Sequence, residues 1–168
     1  MAEELNRDYS SQKKEWQNSP FKWILGLTSR QRGAVGEQLV RKFLKEERFA
    51  VTDSPGTDSD ISVNGYNVEI KFSTLWQNGG YRFQQIRDQD YDILLCLGIS
   101  PNDAHAWVVT KSNIVWNEMP NQHGGSRGSD TWWITCHPSQ SPYEWLLPSD
   151  GDLGKMLKEL RKLTGQPT

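Results

Sequence analysis

Residues 58–74, DSDISVNGYNVEIKFST, contain the strongest local folding signal in the chain. Asn64 and Gly65 lie between two short runs of alternating apolar and polar residues, which predicts a β-hairpin closed by a two-residue type I′ turn. A two-residue loop sets the register, so we expect Asp60 to lie opposite Glu69. Like charges directly across a ladder destabilise a sheet, and this pair of acids therefore needs a physical explanation.

The same register divides the hairpin side chains between two faces. One face is polar, as in any half-buried hairpin with a wet surface, and it carries Asp60, Ser62, Asn67, Glu69, Lys71 and Ser73. A bound cation would turn the repulsion between the two acids into attraction, and Mg²⁺ is commonly held by one or two carboxylates plus substrate phosphate oxygens. Lys71 could hold or help deprotonate an attacking water and offset charge on a phosphoryl transition state.

The elements around the hairpin predict a mixed α/β fold. Thr28 and Gln31 have the spacing of a capping box, which starts a helix over residues 29–48 with Glu37 beside its apolar stripe. We expect strands at 49–51, 91–98, 104–110 and 132–136, a helix at 81–87 and a C-terminal helix after residue 152. The prediction is a single-domain central mixed sheet flanked by helices over residues 29–168, preceded by an extension, 1–28, with a short docking helix.

Composition limits the class of partner. The 168 residues carry a formal net charge of −2, so there is no global basic field of the kind that non-specific nucleic-acid binding favours, although one face can still be locally basic. The aliphatic run 93–97 is far too short to cross a bilayer, and we expect a cytoplasmic protein without a membrane partner. Cys96 and Cys136 lie in apolar runs and are expected to be reduced core residues.

Asp60, a turn, then Glu69, Ile70 and Lys71, with Glu37 on a preceding helix, resembles the PD-(D/E)XK nuclease superfamily, which has the restriction-endonuclease-like fold. The resemblance covers about residues 29–109. This chain lacks the proline-aspartate pair that names the family, since Ser59 precedes Asp60. The resemblance implies a Mg²⁺-dependent endonuclease that hydrolyses DNA with a metal-activated water, with Mn²⁺ as a substitute and no small-molecule cofactor. It is most compatible with a type II restriction-type enzyme acting as a homodimer.

The resemblance also assigns roles to residues. Asp60 and Glu69 would be metal ligands together with the backbone carbonyl of Ile70, and Lys71 would be the catalytic lysine. Glu37 would be an outer catalytic carboxylate; alternatively, it is a helix-surface acid paired with Arg41 at i+4. Asp58 competes for the ligand role, but in the predicted register it opposes Lys71 and is expected to pair with that lysine.

Candidate DNA-binding residues fall in four places. They are Arg30 and Arg32 at the helix start, Ser73 and Thr74 after the E-x-K strand, Gln84 and Gln85 in the following element, and His123, Ser126 and Arg127 in the loop 121–128. Arginine can read guanine by paired hydrogen bonds, but a solvated helix face or a loop without function has the same composition. Trp132 and Trp133 are further candidates for ligand contact, although core packing explains most tryptophans.

Three other functions fit the same residues. A junction resolvase or a mismatch-repair nickase would use the same fold and the same carboxylates. A non-catalytic DNA-binding or assembly module would keep the fold without the chemistry, and the missing basic field favours it. RNA is an alternative substrate.

Overall fold

The computed structural model describes residues 14–124, 129–138 and 140–166. Its eight strands form a five-stranded sheet of order β1-β2-β3-β5-β6 and a three-stranded sheet of order β4-β8-β7. Strands β3 and β5 are parallel and the other pairs are antiparallel, so the central sheet is mixed. The elements are α1 (Ser29–Glu46), β1 (Val51–Asp53), β2 (Ile61–Val63), β3 (Tyr66–Thr74), β4 (Tyr81–Ile86), β5 (Ile93–Ile99), β6 (Ala104–Thr110), β7 (Asn121–Gln122), β8 (Thr131–Cys136) and α2 (Leu153–Leu163).

The predicted hairpin register is confirmed for the three residue pairs of β2 and β3, from Ile61 opposite Val68 to Val63 opposite Tyr66. Asn64 and Gly65 have φ values of 51° and 89°, as a type I′ turn requires. The Asn64 side chain also accepts a hydrogen bond from the Ala50 N–H at 2.9 Å. The turn is therefore tied to the start of β1 as well as closing the hairpin.

Both helices lie on one face of the central sheet. Helix α1 begins with the predicted capping box, in which the Gln31 N–H donates to the Thr28 hydroxyl at 3.3 Å and the Thr28 N–H donates to the Gln31 side chain at 2.9 Å. The helix packs on β3 so closely that a Cβ atom at Gly36 would clash with Phe72. The first core joins both helices to this face through Val40, Leu44, Ile61, Val63, Val68, Ile70, Ile93, Leu95, Leu97, Met156, Leu157 and Leu160.

The opposite face is covered by the three-stranded sheet. The predicted helix at 81–87 is wrong, because these residues form β4, with Tyr81 and Phe83 buried and Arg82 turned outward. A β-bulge after Phe83 places the next buried residue, Ile86, three positions later, and this mixed spacing of two and three resembles a helical stripe. The second core contains Tyr81, Phe83, Ile86, Leu94, Cys96, Trp107, Val109, Ile134 and Cys136, in which both cysteines are free.

The predicted fold class is confirmed as a single mixed α/β domain with a central mixed sheet and two helices. Strand β1 begins at Val51, two residues after the predicted start at 49. Before α1, the described residues include a 3-10 turn, Lys22–Gly26, and the buried side chains of Trp16 and Ile24. Across the described residues, every helix is too short or too polar to cross a membrane.

Candidate active site

Asp60 immediately precedes β2 and bonds to β3 through both its backbone and its side chain. Its N–H donates to the Val68 carbonyl at 3.0 Å, and its Oδ2 accepts from the Ile70 N–H at 2.7 Å. The carboxylate thus replaces the backbone acceptor that a longer β2 would have supplied. The predicted regular pair between Asp60 and Glu69 is not formed, because the ladder stops at Ile61.

Glu69 and Lys71 share the face of β3 that points away from the helices. The Lys71 ammonium lies 2.6 Å from Glu69 Oε1, and the two side chains are 17% and 12% exposed. Lys71 pairs in register with Cys96 of the neighbouring strand β5, and Cys96 belongs to the second core. The E-x-K tripeptide therefore forms an ion pair at the edge of an apolar region.

Burial raises the pKa of both carboxyl groups above their ordinary values. For Asp60, burial has the largest effect on the pKa; the Ile70 N–H and the charges of Lys71 and Arg41 oppose it, and the Glu37 charge adds to it. For Glu69, burial again raises the pKa, Lys71 lowers it by charge and by hydrogen bonding, and the charge of Asp60 raises it. The two acids are close enough to repel each other in partly desolvated surroundings, and a cation would relieve that repulsion.

Glu37 forms the ion pair considered as its alternative role. Arg41 Nε lies 3.1 Å from Glu37 Oε1, and Arg41 Nη2 donates to the Asp60 carbonyl at 3.1 Å. Because the Glu37 charge also raises the pKa of Asp60, Glu37 belongs to the same group of charges, although its own ion pair is with Arg41. Arg41 links helix α1 to the residue just before β2.

Asp58 does not pair with Lys71, so that prediction is wrong. Its carboxylate accepts from the Thr57 hydroxyl at 3.5 Å and from the Asp90 N–H at 3.4 Å. The ladder that would have placed Asp58 opposite Lys71 extends only to Ile61, so Asp58 is not paired with β3. Lys71 is held by Glu69 instead.

The donor set suits a hard divalent cation that keeps several waters. Asp60 uses Oδ2 for the Ile70 N–H and Glu69 uses Oε1 for Lys71, which leaves Oδ1 and Oε2 as oxygens that could bind an ion. Alternate residues of a strand direct their polar backbone groups to the same neighbour, so the Ile70 carbonyl faces the side on which Asp60 lies. Within the described ranges, no group of three or more His, Cys, Asp or Glu side chains could hold a metal. Two carboxylates suffice for Mg²⁺ because waters and phosphate oxygens complete its shell.

A cleft of about 860 Å³ opens beside Lys71, between the start of α1, the end of β3 and strand β4. Its lining contains four cationic residues and, among the described residues, no acid, although the whole chain is net negative. Six of the predicted DNA-binding residues meet there. The lining is Ser29, Arg30, Arg32, Gly33, Ile70, Lys71, Phe72, Ser73, Thr74, Trp76, Arg82, Gln84 and Gln85.

The six predicted residues differ in how far they are available to a ligand. Arg32 donates to the carbonyls of Leu27 at 3.0 Å and Leu25 at 2.7 Å, so its guanidinium holds the chain before α1. Ser73 is buried and its hydroxyl accepts from the Arg82 N–H at 3.1 Å. Thr74 is buried as well, whereas the remaining three, Arg30, Gln84 and Gln85, are exposed in the cleft.

Gln84 and Gln85 owe their common direction to the bulge in β4. Two residues of β4 stand against Trp133 of β8, because Phe83 pairs with Ile134 and Ile86 with Trp132. Gln85 has φ 57°, in the left-handed region that favours glycine. The bulge turns both amides toward the cleft, and such locally strained residues are frequent at functional sites.

Arg82 and Trp76 line the cleft but were not among the predicted site residues. The Arg82 guanidinium carbon lies 5.8 Å from the Trp76 ring centroid and 5.1 Å from that of Trp133. Arg82 stands between Tyr81 and Phe83, and in a strand this alternation indicates that Arg82 faces the other side. The predicted helix at 81–87 concealed that pattern. Of the two tryptophans considered as ligand contacts, Trp133 packs against the Arg82 guanidinium. Trp132 packs on Trp116 with ring centroids 4.7 Å apart.

The loop 121–128 was predicted to contact bases, but none of its described residues lines the cleft. His123 Nδ1 lies 3.1 Å from Asp130 Oδ2, and this hydrogen bond lowers the pKa of Asp130. His123 is not part of the cleft lining. Ser126 and Arg127 lie outside the described residues.

Comparisons with known proteins add little. No protein-family model matches the sequence, and no curated protein matches it. Among solved structures, a bacterial homing endonuclease aligns with a TM-score of 0.48 and 14% identity, over 80% of this chain and 98% of that one. A likeness this weak leaves the function to be argued from the site itself.

Proposed function

We propose that this protein is a Mg²⁺-dependent endonuclease that hydrolyses DNA phosphodiester bonds beside Lys71 of the cleft lining, with Asp60 and Glu69 next to the lining as metal ligands. The observation that carries the proposal is the junction of two features. The cleft is lined by four cations, and one of them, Lys71, is paired with one of two partly desolvated carboxylates. Cations suit a phosphate backbone, and hard oxygens suit the ion that phosphoryl chemistry uses.

The cleft residues would hold the DNA strand. Arg30 is exposed at the start of α1, and Gln84 and Gln85 are exposed on the facing strand, so a phosphate backbone between them would be contacted from both sides. Arg82 adds positive charge to the lining. These contacts would position the scissile phosphate beside Lys71, which is how positioning residues lower a barrier.

Asp60, Glu69 and the Ile70 carbonyl would hold the metal. When bound, Mg²⁺ would polarise a phosphate oxygen and lower the pKa of a water. Lys71 would orient the attacking water and offset the charge that develops on the phosphoryl oxygens. Glu69, as its ion-pair partner, would keep the Lys71 ammonium pointing to that position.

The finer proposal follows the PD-(D/E)XK resemblance. It comprises a type II restriction-type enzyme that accepts Mn²⁺ in place of Mg²⁺, binds DNA and works in the cytoplasm. One site cuts one strand, so cutting of both strands would require a homodimer. Arg30, Arg32, Ser73, Thr74, Gln84 and Gln85 would be the DNA-contacting residues, with Arg32 and Ser73 acting mainly by shaping the cleft.

Plasmid cleavage tests the proposal. We expect wild-type protein to nick or linearise supercoiled plasmid with Mg²⁺ or Mn²⁺ and to be inactive with EDTA. Asp60→Ala and Lys71→Ala should each lower the rate by about 10²-fold or more. Exposed residues outside the cleft lining supply the matched controls Asp103→Ala and Lys45→Ala, which should cut at the wild-type rate.

Two outcomes would overturn the catalytic assignment. One is a wild-type protein that cuts no plasmid with either metal, which would favour the non-catalytic DNA-binding module. The other is cutting by Asp60→Ala and Lys71→Ala at the wild-type rate. The ratio of nicked to linear product then separates a nickase from a dimeric restriction-type enzyme, and sequencing of the ends separates site-specific from structure-specific cutting.

A further inference from the structure

Trp76 is an exposed aromatic side chain in the wall of a basic cleft. It follows β3 and is 46% exposed, while its backbone is held in a turn by hydrogen bonds with Gly80 and Gly79, each 2.9 Å long. Of the exposed large hydrophobic residues in the described part of the chain, Trp76 alone lines the cleft. A half-exposed indole therefore gives a lining otherwise suited to phosphates a surface for aromatic contact as well.

Arg82 forms a second layer next to Trp76. Its guanidinium carbon lies 5.8 Å from the Trp76 ring centroid and 5.1 Å from the Trp133 ring centroid. Its Nε is buried and has no hydrogen-bond partner within the described ranges. The guanidinium is therefore held by two indole rings, and indole and guanidinium planes are the groups on which proteins stack nucleobases.

The aromatic layer is connected to the candidate catalytic strand. The Arg82 N–H donates to the Ser73 hydroxyl at 3.1 Å, and Ser73 lies two residues after Lys71 on β3. Trp76 lies five residues after Lys71, which at the rise of a strand is at most about 17 Å, or about five base steps of 3.4 Å. A base at Trp76 and a phosphate at Lys71 can thus belong to the same short piece of one strand.

A paired duplex offers no face for this layer. Its bases are stacked on both sides, so the outer surface presents phosphates and groove edges. A base that has left the stack exposes its ring face and can lie on an indole. The chemistry on the wall therefore fits an unpaired nucleobase.

We propose that Trp76 and Arg82 bind an unpaired nucleobase, so that the preferred substrate is DNA with a base out of the duplex stack within about five steps of the cut. The inference rests on the proposed function for the identity of the nucleic acid and the position of the cut. It goes beyond that function by naming the structure that the cleft selects.

Equilibrium binding in EDTA tests the inference apart from cleavage. The probes are one fluorescent strand used alone, fully paired, and paired with a complement that leaves one extra unpaired base in the labelled strand. We expect the duplex with the unpaired base to bind more tightly than the paired duplex. Trp76→Ala should weaken that binding by about 5- to 150-fold, the range for loss of one stacked base, while leaving paired-duplex binding unchanged.

Two variants serve as controls. Trp76→Phe keeps an aromatic face and should retain most of the preference. Trp23→Ala removes a tryptophan that is 56% exposed but does not line the cleft, and it should bind as wild type does. Trp76 is 46% exposed, so Trp76→Ala should remain folded and should lose only a little stability with its contact to Arg82, which thermal unfolding measures.

The results separate this inference from the proposed function. Equal binding of all three probes, or a Trp76→Ala variant that keeps the wild-type preference for an unpaired base, overturns the inference. Binding of the single strand that depends on Trp76 supports it and assigns the base to a single strand instead of a bulge. A Trp76-dependent preference without plasmid cutting keeps the base site and overturns the nuclease, whereas metal-dependent cutting without the preference does the reverse.

Discussion

The Lys71 ammonium lies 2.6 Å from the Glu69 carboxylate, two residues away on the same face of β3, and both side chains are largely shielded from water. The charge of Lys71 and its hydrogen bond both lower the pKa of Glu69 against the opposing effect of burial. Lys71 therefore contributes to keeping Glu69 ionised. The lysine proposed to act in catalysis also maintains the charge of a proposed metal ligand.

Removing Lys71 should make stability depend more strongly on pH. Without Lys71, the folded-state pKa of Glu69 should rise further above its ordinary value of 4.5. A raised acid pKa favours the folded state at low pH and loses that contribution as pH rises through the folded value. We expect Lys71→Met to have a Tm close to wild type at pH 4 and a lower Tm at pH 7.5.

The double variant Lys71→Met with Glu69→Gln supplies the control. Its reference is Glu69→Gln, which lacks the same titrating group, so the Tm difference between these two variants should change less between pH 4 and pH 7.5 than the difference between Lys71→Met and wild type. Thermal unfolding followed by circular dichroism measures all four proteins. A Lys71→Met deficit that is the same at pH 4 and pH 7.5 would contradict the assigned electrostatic link.

Asp60 should be unfavourable for stability and necessary for activity. Burial is the main cause of its raised pKa. The folded protein therefore loses stability as the pH rises from the ordinary pKa of an aspartate through the raised one, where Asp60 ionises. Asp60→Asn keeps an oxygen for the Ile70 N–H, and we expect a Tm at pH 7 equal to or above wild type with DNA cleavage lowered about 10²-fold or more.

Asp60→Ala separates the two roles of this side chain. It removes the acceptor that binds the Ile70 N–H at 2.7 Å, and an unsatisfied buried donor costs about 1–3 kcal/mol. Its Tm should therefore lie below that of Asp60→Asn. The reverse order of stability would show that the hydrogen bond from the Ile70 N–H contributes little to holding this part of the fold.

The two predicted arginines at the start of α1 should differ in effect. Arg30 is exposed in the cleft, so Arg30→Ala should weaken DNA binding at all sequences and reduce the salt slope by about 1, with Tm unchanged. Arg32 donates to the carbonyls of Leu25 and Leu27, so Arg32→Ala should lose about 1–3 kcal/mol of stability. Salt-dependent binding and Tm measure the pair, with Lys45→Ala as the control. Equal effects of the two arginines on both readouts would contradict the assignment.

Local signals predicted the parts of the fold that neighbouring residues determine. The Asn64-Gly65 turn led to the register of β2 and β3, and the capping box led to the start of α1. The second sheet depends on pairing β4 with β8, which lies about fifty residues further along the chain, and the bulge hid the alternation of β4. No local pattern reports a partner at that separation.

The same division holds for the site. The alternation of side chains along a strand predicted Glu69 and Lys71 on one face, and the structure has them there as an ion pair. The bond from the Ile70 N–H to Asp60 depends on where β2 begins, which the alternation alone did not reveal. Arg82 and Trp76 were missed because they face the cleft only when residues 81–86 form a strand.

Gly36 should be required for the seating of α1 on β3. A methyl group there would clash with Phe72, and overpacking of this kind costs about 1–3 kcal/mol, so Gly36→Ala should lower the Tm. Gly33 lies in the same helix, where an added methyl group would have no neighbouring atom within 4 Å, and Gly33→Ala should raise stability by about 0.5–1 kcal/mol. A stabilising Gly36→Ala would mean that the helix can shift freely on the strand.

The bulge in β4 has a consequence for how this protein can vary. If one of Gln84 and Gln85 were deleted, the remaining order Tyr-Arg-Phe-Gln-Ile would alternate regularly and would still direct Tyr81, Phe83 and Ile86 into the second core. The extra glutamine is therefore an insertion that leaves the packing of the core unchanged. Selection can lengthen or shorten this wall of the cleft by one amide while the interior stays the same, so the surface that meets the ligand and the residues that hold the fold can evolve separately.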